Sequence, residues 1–414
     1  MRFVYGLCVT VLVACLSYPA CTSPSTGEEQ PGVEQSQEGQ AVSESVGSND
    51  SGGATETQSS DSQSTPEPGP EATAPDGVIT RGDTHKISID PRGYAASILL
   101  SADEFKAWNE RKGFQVSTAR QEFTKHIYKV FKDNFDFIFF VMNNKTRPSV
   151  LPFGQLVKVS NAVKGLGMKV YSNASKYGSG GKLKAVMQLS RKDYILLGPS
   201  LHELMHNWGN FILDTKLLDA QGKEANAKPH WGISDVGGQL GGFDATTFKD
   251  NVDGDPKKYR GNMPGKKNFG FGSNGGNGQP YSNFELYLMG VIPKSEVKPI
   301  RIFTGISAVR DEFIKNGSFS ADSLTTYTID QIVGAPLNKG EREPGVDKSQ
   351  KKFRVLAIML TTSPLTPKEW DDFTSQIKQF SFSGKDSSRL YNFWEATGGR
   401  ASLDMGDLHR DLKD

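Results

Sequence analysis

The residues best suited to chemistry in this chain are two histidines that flank a glutamate, His202, Glu203 and His206, in the pattern H-E-x-x-H. On a helix, residues four positions apart lie on one face, so both imidazoles can reach one metal ion. Glu203 projects about 100° round the helix from His202, where it can act as a base toward an activated water. The spacing therefore predicts a hydrolytic metal site.

Flanking residues indicate that this motif lies on a buried helix. Pro199 suits the first helical turn, where its missing N–H costs nothing. Apolar residues recur at helical spacing through residues 198–212 and predict one buried face: Leu201, Leu204, Met205, Trp208 and Ile212. A metal ion beside such a helix would be partly desolvated, which strengthens its effect on a water molecule.

Two histidines do not complete a catalytic zinc site, which uses three protein ligands and a water. His230 follows the motif in a Gly- and Pro-rich loop that could fold back over it, and we predict it as the third ligand. The alternative for His230 is a loop imidazole stacked on Trp231. Glu285 is a second candidate, because a carboxylate in the apolar run Phe284–Leu288 needs a partner. It would be a ligand or a group that orients one.

The N-terminus has the composition of an export signal. Residues 1–20 combine Arg2 with the apolar run Phe3–Leu16, which is too short to cross a bilayer. The segment resembles a bacterial lipoprotein signal, and this resemblance implies a lipid anchor to the cell envelope through Cys21 or Cys15. The alternative is an ordinary cleaved signal and a secreted protein.

Residues 21–80 are rich in Ser, Gly, Gln, Glu and Pro and are predicted to form a disordered tether. The chain has 48 basic and 47 acidic residues; Arg2 and eleven of the acids precede Arg81, so the part from Arg81 to Asp414 carries a net charge of +11. A basic exported domain favours acidic surfaces or substrates. Nothing resembles a nucleic-acid-binding motif, so nucleic acid is not expected as a partner.

The folded part is predicted to be α+β with a mixed sheet. The near-continuous apolar run Phe135–Met142 predicts a fully buried central strand, and Lys182–Leu189 predicts a strand directly before the motif helix. Periodicity and capping signals predict the other strands at 86–90, 95–100, 300–304, 325–329 and 354–361, and helices at 101–112, 119–132, 281–290 and 366–380. We assign 81–295 to a metal-bearing domain and 296–414 to a mixed α and β region that completes or flanks it.

The order helix, buried strand, Gly-rich loop, strand and H-E-x-x-H helix resembles the N-terminal half of zincin metallopeptidases over roughly residues 85–235. In that family the strand before the motif helix is a sheet edge that binds extended peptide, which implies this role for Lys182–Ser190. The local H-E-L-M-H-N-W-G-N is similar to aminopeptidase-type zincins but lacks a Phe; their pattern implies Glu224 as another possible third ligand. Together with H-W-G at His230 and Y-S-x-x-E-L-Y-L-M-G from Tyr281, the motif resembles a group of exported bacterial metallopeptidases of unassigned substrate.

The resemblance implies a surface-tethered zinc endopeptidase that acts on peptide or protein substrates. Zinc and Glu203 would activate a water for attack on the peptide carbonyl, and Glu203 would pass the proton to the leaving amine. By analogy with the family, Tyr287 or Tyr281 would stabilise the developing oxyanion. Other possible functions are a non-catalytic surface binding protein, which the intact Glu203 argues against, and an aminopeptidase, for which no clear amine-binding acidic segment is found.

Overall fold

The computed structural model describes residues 77–219, 221–262, 276–386 and 388–414. The predicted signal with Cys15 and Cys21, most of the predicted tether and the Gly-rich stretch 263–275 lie outside the described residues. Within the described ranges, no helix has the length and apolar character needed to span a membrane.

The strands are short, apart from one long strand near the C-terminus. In chain order they are β1 Ile79–Arg81, β2 Ile87–Ile89, β3 Ala96–Leu99, β4 Phe137–Met142, β5 Gly154–Lys158, β6 Ser160–Asn161, β7 Tyr171–Ser172, β8 Ala185–Leu189, β9 Lys216–Leu218, β10 Glu224–Asn226, β11 Lys258–Arg260, β12 Ile300–Thr304, β13 Ser318–Ser320, β14 Ser323–Tyr327, β15 Lys352–Thr361 and β16 Ser402–Asp404.

Two helices are long and the rest are short. In chain order they are α1 Ala102–Asn109, α2 Ser117–Val130, α3 Tyr194–Leu197, α4 Ser200–Met205, α5 Asn283–Met289, α6 Arg310–Asn316, α7 Ile329–Val333, α8 Pro367–Phe380 and α9 Phe393–Ala396. Single 3-10 turns occur at 174–177, 245–247, 252–254, 294–296, 346–348 and 408–411.

A mixed eight-stranded sheet organises the fold in the order β1-β2-β3-β15-β4-β8-β5, with β16 also paired to β15. The strands β3, β15, β4 and β8 are parallel, whereas β5 pairs with β8 in the antiparallel sense and β2 pairs likewise with β1 and β3. The prediction of a mixed sheet in an α+β fold is therefore confirmed.

The predicted central strand is β4, and all six of its residues are buried. Alternate side chains enter different cores because successive residues of a strand face opposite sides of the sheet. One core contains Phe139 together with Leu204 of α4, Leu288 of α5 and Phe373 of α8. The other contains Phe140 packed with residues of α1 and α2. The motif helix therefore lies on one defined face of the sheet.

The edge of the sheet differs from the expectation. Lys182–Ser190 was expected to be the edge strand, but β8 lies between β4 and β5, and the end of the sheet is β5. Gly154 pairs with Leu189 and Lys158 with Ala185. The five residues G-Q-L-V-K of β5, two of which are buried, lack a long apolar run, so the sequence pattern resembles a loop.

The C-terminal region completes the same sheet. β15 lies between β3 and β4, and nine of its ten residues are buried. The strand predicted at 325–329 is shifted to Ser323–Tyr327, because Thr328 and Gln331 form a capping box that starts α7. The region after residue 295 thus supplies the centre of the sheet.

The motif helix is shorter than the periodic pattern suggests. α4 ends at Met205, and a further turn follows in which the Trp208 N–H bonds the Met205 carbonyl at 2.9 Å. Pro199 is the residue before the first helical one. The predicted apolar face is buried over its full length: Leu201, Leu204, Met205, Trp208 and Ile212.

Candidate metal centre

Three imidazoles converge at the end of α4. His202 lies in the helix, His206 follows its last residue, and His230 comes from the loop after β10. The Nε2 atom of His202 lies 3.2 Å from Nε2 of His206 and 3.2 Å from Nε2 of His230. The three residues can place ligand atoms within 4.8 Å of one another, which is close enough to hold one metal ion.

Hydrogen bonds at the opposite ring nitrogens orient two of these imidazoles. His202 Nδ1 lies 2.7 Å from the Gln239 carbonyl oxygen, and His206 Nδ1 lies 2.7 Å from Oδ1 of Asn210. The Asn210 amide nitrogen donates to the His206 carbonyl at 2.9 Å, which fixes the orientation of the amide. Both Nδ1 atoms therefore carry the proton, and both Nε2 atoms present a lone pair to the cluster.

The spacing of the nitrogens fits a bound cation. Two nitrogens on a tetrahedral ion at a metal–nitrogen distance of about 2.0–2.1 Å are separated by about 3.3 Å. The Nε2 atoms of His206 and His230 each lie 3.2 Å from Nε2 of His202. The facing lone pairs of His202 and His206 repel each other unless positive charge lies between them. Three imidazoles are a donor set suited to zinc and related transition ions.

Burial keeps these imidazoles neutral. Burial lowers the pKa of His202 to about 4 and is the main cause that lowers the pKa of His206 to about 3. Burial also places the pKa of His230 well below its usual value, with a smaller contribution from the other two histidines. Neutral imidazole is the form that binds a metal, so the cluster is ready to bind one near neutral pH.

No family model, curated protein or solved structure matches the chain.

Glu203 is buried between α4 and the edge strand. A Cβ atom added to Gly154 of β5 would lie 2.7 Å from Pro199 Cγ, 2.8 Å from Glu203 Cγ and 3.1 Å from Glu203 Oε1. Such separations are too short for ordinary packing, so only glycine lets the edge strand approach the motif this closely. The buried carboxyl of Glu203 therefore lies directly beside β5.

The two other predicted ligands have different partners. The Glu285 carboxylate is buried and accepts hydrogen bonds from four N–H groups. Burial raises its pKa, and the N–H donors oppose that shift. Glu224 is exposed on β10 and accepts a hydrogen bond from the Ile306 N–H at 2.9 Å. Among the described residues, the candidate metal cluster contains His202, His206 and His230 but neither glutamate.

The two tyrosines predicted to stabilise an oxyanion are bonded to the backbone. The Tyr281 hydroxyl donates to the Leu201 carbonyl at 2.8 Å, and the Tyr287 hydroxyl accepts from the Arg342 N–H at 3.3 Å. Both side chains are buried. Tyr281 thus supports the motif helix and Tyr287 a neighbouring loop, and we do not assign either to the oxyanion.

The remaining described histidines lie elsewhere. His85 Nε2 is 2.9 Å from a Glu104 carboxylate oxygen, and its ring packs 5.0 Å from the ring of His126. His126 is half-buried because of this packing. His409 Nε2 lies 3.2 Å from the Pro91 carbonyl. His230 is therefore the histidine that joins the motif pair.

Sequence reasoning missed three residues that support the site. Asn277 holds the start of α4: its Oδ1 accepts from the Leu201 N–H at 3.2 Å, and its Nδ2 donates to Ser200 Oγ at 2.9 Å. Asn210 lies four residues after His206, a spacing that could have indicated its role. Gln239 acts through its main-chain carbonyl, which no side-chain pattern reveals.

Proposed function

We propose that this chain is a zinc-dependent peptidase in which His202, His206 and His230 hold the zinc ion and Glu203 is the general base. The observation that carries this proposal is the convergence of three neutral imidazoles, one of which is directly followed by a buried glutamate. The H-E-x-x-H spacing gives a reason for both features on one short helix.

The chemistry follows from the residue types. A bound zinc ion would supply Lewis-acid polarisation of the water and of the scissile carbonyl. Glu203 accepts one proton from the attacking water as the water oxygen bonds to the carbonyl carbon. When the carbon–nitrogen bond breaks, Glu203 returns that proton to the leaving amine. The products are a carboxylic acid and an amine, and Glu203 is regenerated as a carboxylate.

The edge strand supports a peptide as the substrate. The Ser190 N–H donates to the Phe153 carbonyl at 3.2 Å, and the Val159 N–H donates to the Lys184 carbonyl at 2.7 Å. Since backbone groups alternate along an antiparallel pair, those of Gly154 point away from β8. An extended peptide added beside β5 would pass close to Glu203.

We also propose, from the sequence alone, that Cys21 or Cys15 anchors the domain to the cell envelope.

The test compares Glu203→Gln with Glu224→Gln, the same change at an exposed glutamate. Metal analysis should find about one zinc per chain in the wild type and in both variants. Hydrolysis of a quenched fluorescent peptide library should fall about 10²–10⁴-fold in Glu203→Gln alone, because a general base is lost.

Full hydrolysis by Glu203→Gln would overturn the mechanism. A wild-type protein that binds zinc but cleaves no peptide would overturn the peptidase assignment and favour a non-catalytic metal-binding protein.

A further inference from the structure

We infer that Glu285 is a positioning residue for the metal centre, an inference that rests on the zinc site of the proposed function. Its carboxylate lies at the centre of the loop that carries His230. Oε1 accepts from the Trp231 indole N–H at 2.9 Å and from the Leu240 N–H at 2.8 Å. Oε2 accepts from the Gln239 N–H at 2.9 Å and from the Ser282 N–H at 3.0 Å.

These bonds connect Glu285 to two of the three ligands. Trp231 follows His230 directly, so the indole bond fixes the backbone beside the third ligand. The Gln239 N–H is bonded to Glu285, and the carbonyl of Gln239 receives the Nδ1 proton of His202. One carboxylate therefore sets both the place of His230 and the acceptor that orients His202.

The loop is closed tightly around this carboxylate. The main-chain N–H of Trp231 donates to the Leu240 carbonyl at 2.8 Å, which joins the two ends of the segment 231–240. A Cβ atom on Gly238 would collide with the Glu285 carboxylate. The Gln239 side chain donates to the Gln279 carbonyl at 2.7 Å and to the Gly276 carbonyl at 3.2 Å. Little room is left for the loop to adopt another position.

The four N–H groups around Glu285 require a carboxylate as their acceptor. Two oxygens with about four lone-pair positions match four N–H donors, two at each oxygen. A glutamine of the same shape has one oxygen and one NH₂ group. In either orientation of its amide, two of the four N–H groups would face the NH₂ group without an acceptor. Glu285→Gln should therefore loosen the loop while it preserves the size of the side chain.

A matched control separates positioning from general stability. Asp136 is another buried carboxylate; it accepts from the Arg354 N–H at 2.8 Å and from the Gln350 side chain at 2.9 Å. Asp136→Asn makes the same chemical change directly before β4. Both variants should be less stable to urea, but only Glu285→Gln should alter the metal centre.

The experiment measures zinc affinity by competition with a chelator and the visible absorption bands of the Co²⁺-loaded protein. Glu285→Gln should bind zinc about 10–100-fold more weakly and shift the cobalt bands, whereas Asp136→Asn should change neither. Equal zinc affinity and unchanged cobalt bands in Glu285→Gln would overturn the inference.

If Glu285→Gln does not fold, Trp231→Phe removes one donor to the carboxylate and keeps an aromatic ring. It should still weaken zinc binding several-fold and shift the cobalt bands; wild-type values would overturn the inference. Neither measurement depends on hydrolysis, so a protein that binds zinc without cleaving peptides would refute the peptidase function and leave the role of Glu285 standing.

Discussion

The candidate metal centre combines two regions that are built in different ways. The turn around α4 supplies His202 and His206 through local spacing, and Asn210, four residues after His206, orients the second of them. The loop 230–240 supplies the third imidazole and the acceptor for His202. The geometry of the helix side (His202, His206 and Asn210) is determined by local sequence. The geometry of the loop side (residues 230–240) depends on the Glu285 carboxylate of α5, which lies far along the chain.

This difference explains why a long-range contact is needed at all. The loop contains several glycines and has no regular helix or strand between residues 227 and 244. Ordering such a loop costs conformational entropy. The histidines at α4 are already ordered by the helix, so no such cost arises there when a metal binds. The buried contacts of Glu285 hold the loop in place before a metal arrives.

The largest effects are expected from removal of the ligands themselves. His206→Ala should abolish stoichiometric zinc binding, because it removes one of the two imidazoles that α4 places side by side. His230→Ala should lower zinc affinity by at least about 100-fold, beyond the 10–100-fold that outer partners of a ligand contribute. Zinc titration with a competing chelator measures both.

His126→Ala is the control, since that residue packs against His85. Near wild-type zinc affinity in His230→Ala would remove the loop from the site and leave the helix pair as its sole protein ligands.

The helix side of the site was predictable from the sequence, and part of the loop side was not. His202 and His206 are recognised by spacing, and the apolar face of α4 follows the helical period. His230 could be proposed by elimination because few histidines compete with it. From the sequence, Glu285 could be either a metal ligand or a residue that orients one. The choice stayed open because an amino-acid sequence does not show which N–H groups surround a carboxylate.

The fold shows the same limit. β4 was predictable as a buried central strand because its apolar run is long enough to cross the core. Its neighbour β15 was recognised as a strand, but pairing between β4 and β15 joins residues about two hundred positions apart, and local periodicity carries no such information. The edge strand β5 was missed, because its five residues contain no long apolar run and resemble a loop.

A second prediction uses pH to test the buried histidines of the helix side. The pKa values of His202 and His206 in the folded protein, about 4 and about 3, lie below the ordinary value of 6.5. The unfolded chain then binds more protons than the folded one, so the free energy of unfolding falls as the pH drops from 6.5 toward 4. Each histidine contributes about 1.4 kcal/mol per pH unit where the unfolded form is protonated and the folded form is not.

Urea unfolding of the metal-free protein between pH 7.5 and about 5 measures this loss. His206→Gln should show a shallower decline than the wild type. Identical slopes for the wild type and His206→Gln would mean that His206 does not remain neutral in the folded protein. Added zinc should counteract the loss, because it competes with protons for the imidazole nitrogens.

A modest effect on zinc affinity is expected at Asn210, and its comparison with Glu285→Gln ranks the two sides of the site. Asn210→Ala removes the acceptor of the His206 Nδ1 proton, but the position is only half-buried and water can take over as acceptor. Zinc affinity should fall about 10-fold, the lower end for an outer partner, and less than in Glu285→Gln. Asn210→Asp should raise the affinity, since an anionic acceptor makes the imidazole a stronger donor to the metal. A larger loss of zinc affinity in Asn210→Ala than in Glu285→Gln, measured in the same titration, would contradict this ranking. It would show that the helix side depends more on its outer hydrogen-bond partner than the loop side does.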